Sequence, residues 1–276
     1  WPVDLVELNG DTVTDVPLEP DYGVRLVQTE KEEDTNTVIL FPCQNYDISK
    51  SVASVLKEMI GTGLHSKINW KEEKIRGLAK AIVESVKELN QNGYLCLDYD
   101  FDRMYLTDDS RVIFEYSHLM VRDKERYLDA PDYVMDKGEY FLDFAQPAVV
   151  QGIVEHPSNN MQNYSLTAML FYLMIGRYAY DGPLMVGLPD TNEIEHMHKY
   201  DIYHNNPVFI FDDEDETNRL GEFAADQKYI DTWESLPDRL KNIFKVHLRS
   251  ASALSDAKPA AIPGPVDWLE ALESFS

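Results

Sequence analysis

The sequence predicts an α+β chain, with a small strand-rich front followed by a larger, mainly helical body. Three observations predict it. Turn residues punctuate short β-prone runs before residue 48, and apolar residues recur at three- and four-residue spacings after it. One segment near the middle, Asn163–Ile175, is apolar on nearly every side. With 276 residues, 44% of them hydrophobic and 27% charged, the chain can bury one large core or two modest lobes. The predicted division is residues 1–47 and 48–276.

In the front, Val3–Leu8 and Thr12–Val16 flank Asn9-Gly10-Asp11, a hairpin turn signal. Val24–Gln28 and Thr37–Phe41 flank the acidic tip Thr29–Asn36, which predicts a second hairpin. A helix is expected over Ile48–Ile60, with Val52, Val55, Leu56 and Met59 on one face and Gly61-Thr-Gly63 stopping it. The next, over Lys71–Asn92, carries Ile75, Leu78, Ile82, Val86 and Leu89, and Asn92-Gly93 ends it. Two short strands follow, Met104–Leu106 and Val112–Phe114, joined by the turn Asp108-Asp-Ser110.

Residues 118–143 show no periodicity and read as loop with one helical turn at most. Asn163–Ile175 reads as a helix at the centre of a domain, because a helix apolar all round has no face for water. Leu188–Gly221 is irregular, with a helical piece near Glu193–Lys199. Leu236–Leu248 is amphipathic through Leu240, Ile243, Phe244 and Leu248, with Pro237 in its first turn. Ser252–Pro265 reads as loop, and Asp267–Phe275 as a short closing helix through Trp268, Leu269 and Leu272.

Forty-nine acids against 25 bases give a formal net charge of −24. Such a field repels phosphate backbones and anionic headgroups, so neither nucleic acid nor a membrane surface is an expected partner. The acidity serves solubility first and a basic protein partner second. The longest apolar run, Leu166–Ile175, is too short for a membrane span, and no secretory signal pattern is present. Cys43 and Cys96, both in apolar surroundings, do not make a disulfide framework, so a reducing cytoplasm is the expected compartment.

The chemistry-bearing stretch runs from Tyr94-Leu-Cys-Leu-Asp98 through Arg103 to Glu115-Tyr116-Ser117. It resembles the catalytic loop and metal-binding turn of a protein kinase. Such a loop needs an Asp to orient the acceptor hydroxyl, an Asn five residues later for Mg²⁺, and a second Asp opening Asp-Phe-Gly. Here Asp98 stands at the first position, Arg103 at the second and Glu115 at the third, and Cys96-Leu97 replace the usual His-Arg before Asp98. A cation sits where a cation should bind.

Residues 48–276 as a whole resemble the protein kinase-like superfamily, in particular a bacterial branch of stand-alone kinase-like proteins. Tyr164–Gly182 is similar to that branch's central helix and following turn. Asn206-Pro-Val-Phe-Ile-Phe-Asp212 with Asn218-Arg219 resembles its characteristic loop, Trp233–Phe244 its next helix and Asp267-Trp268 its final one. The resemblance implies further losses. The Ala-Pro-Glu motif reads Gln146-Pro147-Ala148, and the Arg that would pair with its Glu falls at Ile262. Losing both halves of a buried ion pair together can be close to neutral, whereas losing one is costly. The Asp that braces the catalytic loop from the central helix falls at Gln162.

The front holds only Gly10 and Gly23, with no Gly-x-Gly, and its one lysine, Lys31, lies in the acidic tip. Trp1–Val6 resembles the fourth strand of a kinase upper lobe, so the resemblance implies a reduced front lobe. These losses imply a pseudokinase that needs neither ATP nor Mg²⁺ and binds or regulates a protein. In that branch the partners include phosphatases and von Willebrand-type adhesion-domain proteins.

Two enzymatic alternatives use the same residues. A slow phosphotransferase would orient its acceptor with Asp98, hold one metal with Glu115 and contact phosphate through Arg103. Tyr94-Leu-Cys-Leu-Asp98-Tyr-Asp100 also resembles the haloacid-dehalogenase motif of a nucleophilic Asp and an acid/base Asp, with Asp212 and Asp213 as metal-binding acids. That chemistry needs strands and helices alternating around a parallel sheet, and residues 98–212 do not alternate. An EF-hand reading of Asp98, Asp100 and Asp102 requires Gly where Arg103 stands and Glu where Asp109 stands, so a solvated acidic turn is preferred. Asp212–Glu216 reads as a solvated loop, and His196 and His198, two apart on a predicted helix, as surface residues.

Overall fold

In a computed structural model, residues 5–9, 22–25, 35–42, 51–61, 73–97, 99–107, 110–114, 120–122, 144–151, 153, 158–185, 200–249, 253 and 262–273 are described. The fold is α+β, mainly helical with small antiparallel sheets. The chain divides into two compact units, Trp1–Lys50 and Ser51–Ser276.

The first unit is a three-stranded antiparallel sheet of β1 (Leu5–Asn9), β2 (Tyr22–Arg25) and β3 (Thr35–Pro42), in the order β1-β3-β2. The long β-branched run Thr-Asn-Thr-Val-Ile makes β3 the central strand. Leu5 pairs with Ile39 on one side, and Tyr22 pairs with Pro42 on the other, where the missing proline N–H suits a ladder end. The β2–β3 hairpin is thus present as expected. The structure pairs β1 with β3, and its expected hairpin partner, 12–16, lies outside the described residues.

In the second unit, α1 (Val52–Gly61) begins later than the sequence suggested, because Ser51 takes the cap position and its Oγ accepts the Ser54 N–H at 3.1 Å. Helix α2 (Glu73–Gln91) buries the whole expected stripe of Ile75, Leu78, Ile82, Val86 and Leu89. Gly93 at φ 77° ends it in the left-handed conformation that glycine adopts at least cost. Strand β4 (Tyr94–Cys96) pairs antiparallel with β7 (Met120–Arg122). Between them in sequence lies the hairpin of β5 (Met104–Leu106) and β6 (Val112–Phe114). Strand β7 corrects the loop expected over 118–143, since three residues are too few to show a period. Residues 123–143 lie outside the described residues.

After the short α3 (Pro147–Val150) comes α4 (Asn159–Ile175), which is the centre of the unit. Its residues from Met161 to Phe171 are all buried, as its uniform apolarity implied, and Gly176 closes it at φ 78°. Phe171 meets Phe209 and Phe244 edge-on, each at 5.2 Å between ring centroids, while Phe211 stacks on Trp233 at 4.4 Å. The loop 206–212 therefore plugs its aromatic rings into the helical core. Fully burying one such ring contributes about 1.5–3 kcal/mol.

The helix expected over 236–248 is present as α6 (Asp238–Leu248), separated from a preceding helix, α5 (Gln227–Ser235). Pro237 explains the break. A residue before proline is pushed from the helical region, and Leu236 is extended at ψ 144°. Trp233 thus belongs to α5, whereas Leu240, Phe244 and Leu248 are fully buried on α6. Helix α7 (Pro265–Glu273) packs on α2 and buries Trp268 and Leu272. The piece expected at 193–199 lies outside the described residues, which resume as a turn of π-helix at Asp201–Asn205.

On α6, His247 is buried, its Nδ1 has no hydrogen-bond partner, and burial lowers its pKa to about 4. The neutral ring is favoured in the fold, so its stabilising effect is complete above the unfolded pKa near 6.5 and is lost as pH falls towards 4. Between pH 7 and 5 the wild type is expected to lose about 1 kcal/mol more than His247→Leu, allowing for partial solvent screening. Urea melts of both proteins at the two pH values measure the difference.

Candidate functional site

The start of the singled-out stretch, at the end of β4, is held by α4. Gln162 is fully buried, and its Oε1 accepts the Cys96 N–H at 2.9 Å. Ser165, one turn further along α4, donates from Oγ to the Leu97 carbonyl at 3.0 Å. The two residues immediately before Asp98 are therefore tied to one helix by two buried hydrogen bonds. Gln162 Nε2 is buried without a hydrogen-bond partner, an orphan donor that an acceptor-only carboxylate would not carry.

Sequence reasoning placed Gln162 but missed Ser165. A signal was present: Gln162, Asn163, Ser165 and Thr167 are polar residues in a helix apolar all round, and buried polar groups take partners. Asn163 donates to the Ile262 carbonyl at 3.2 Å, and Thr167 to the Asn163 carbonyl at 2.8 Å.

Asp98 and Glu115 lie outside the described residues, but their neighbours do not. Tyr99, which follows Asp98, packs its ring 6.0 Å from that of Phe114, which precedes Glu115. The β4–β7 pairing opposes Cys96 to Met120, so the chain on both sides of the β5–β6 hairpin returns to one place.

Arg103 closes a single 3-10 turn, Phe101–Arg103. Asp100 caps that turn, since its Oδ1 accepts the Asp102 N–H at 2.9 Å while its other oxygen lies 3.5 Å from Arg103 Nε. Both side chains are about half exposed, so this ion pair adds little stability. It does give Arg103 an anionic partner within its own turn. Phe101 anchors the turn, with Phe144 at 5.6 Å and Tyr172 at 5.7 Å. The alternating acids of an EF-hand are thus partly used as a turn cap.

Elsewhere the losses read from the sequence fall on buried positions. Gln146 is 4% exposed, Ala148 0% and Ile262 2%, so apolar side chains are buried at both places where the resemblance implied that an ion pair is absent. Cys96 is buried. The acidic loop Asp212–Glu216 is largely solvated, as expected, with Asp213, Glu214 and Glu216 exposed. Asp212 is buried and lies 3.3 Å from Arg249 Nε, Lys245 Nζ donates to Asp213 at 2.6 Å, and Arg249 donates to Glu214 at 2.8 Å. The Lys245 hydrogen bond holds the Asp213 carboxyl below its ordinary pKa. The first three acids of the run therefore pair with α6 and its end, with Asp213 and Glu214 still open to solvent. His196 and His198 lie outside the described residues.

No protein-family model matches the chain, and no curated protein matches it. Among the described residues no helix is long and apolar enough to cross a membrane.

Proposed function

We propose that this chain is a catalytically impaired member of the protein kinase-like superfamily, a pseudokinase that binds and regulates another protein. The observation that carries the reading is Arg103. It stands five residues after Asp98, where phosphoryl transfer needs a neutral metal ligand, and its guanidinium is already paired with Asp100. A fixed positive charge there repels the Mg²⁺ that would neutralise developing charge on the phosphates. The clamp by Gln162 and Ser165 supports the same reading, because it holds a catalytic-type loop to a buried helix although the metal-binding groups are gone.

In this reading the loop survives as a structural surface and the work is done by protein contacts. The resemblance favours a bacterial cytoplasmic setting and a phosphatase or von Willebrand-type domain protein as partner, with no ATP or Mg²⁺ required.

One observation favours a second reading, a slow phosphotransferase. Tyr99, which follows Asp98 in sequence, is in ring contact with Phe114, which precedes Glu115. The haloacid-dehalogenase alternative has less support. Every strand pair among the described residues is antiparallel, and Asp212 and Asp213 are engaged by Arg249 and Lys245.

Incubation with labelled ATP and Mn²⁺ in the presence of a generic acceptor separates the first two readings. No label is expected to transfer. Transfer by the wild type that is lost in Asp98→Ala would overturn the pseudokinase reading.

A further inference from the structure

We draw no further inference here: the strongest candidate, the half-buried aromatic face that Phe101, Tyr172 and Tyr178 form beside the 3-10 turn of the candidate site, carries nothing because the structure does not show what covers it.

Discussion

Replacing Asp226 with alanine is expected to destabilise the helical unit by about 3 kcal/mol. The carboxylate is buried and fully used: Oδ1 accepts from Arg177 at 3.0 Å, and Oδ2 accepts the N–H groups of Gly221 at 3.1 Å and Phe223 at 3.3 Å. Its loss leaves two backbone donors without this acceptor and a guanidinium that is only 16% exposed. Arg177 keeps Asp181 at 3.5 Å and the face of Tyr229 at 5.0 Å, which holds the cost to the lower end for a broken buried pair. Asp226→Asn retains an acceptor oxygen and should lose less. Denaturant melts with unchanged slope measure both. A loss below about 1 kcal/mol for the alanine variant would show that the pair is not the lock described here.

Gly182→Ala is expected to cost at least as much. A Cβ at this position would overlap the backbone oxygen and side-chain oxygen of Asn218. Asn218 cannot yield cheaply. It is fully buried, its Nδ2 donates to the carbonyls of Tyr180 at 2.9 Å and Val208 at 2.8 Å, and its Oδ1 accepts the Leu184 N–H at 3.2 Å. It joins the turn after α4 to the loop 206–212, whose rings fill the core, so displacing it loosens both. Overpacking against backbone costs about 3 kcal/mol or more. In a chain of this size that lowers the thermal midpoint by about 6–12 °C. A variant melting with the wild type would mean that the two segments separate without penalty.

The elements that were legible in the sequence are those whose pattern repeats. Helix α2 shows its stripe over five turns, α4 is apolar on every side, and the β5–β6 hairpin is marked by short β-prone runs around Asp108-Asp-Ser110. What was illegible depends on partners distant in the chain. Strand β7 exists through its pairing with β4, and three residues carry no period of their own. The start of α6 was legible at Leu236-Pro237, whereas α5, only nine residues long, was not. The ion pairs of the acidic run Asp212–Glu216 were illegible because Lys245 and Arg249, its partners, lie more than thirty residues later.

The candidate site was legible in its residue types and their spacing. Gln162 was singled out from the motif, but the second arm of the clamp was not. Ser165 carries no motif, and its role depends on α4 lying beneath the carbonyl of Leu97. The pairing of Arg103 with Asp100 also needed the turn geometry, since residues three apart meet only if the chain between them is helical.

The central claim is that the loop around Asp98 and Arg103 no longer supports metal-dependent nucleotide chemistry. Thermal unfolding with ATP, ADP and GTP, each with and without Mg²⁺ or Mn²⁺, tests it most directly. No metal-dependent change in the midpoint is expected with any of them. A nucleotide present at a hundred times its dissociation constant adds about 2.7 kcal/mol. That is a rise of about 5–10 °C for this chain. Such a rise, dependent on the metal and absent in Asp98→Ala, would contradict the claim.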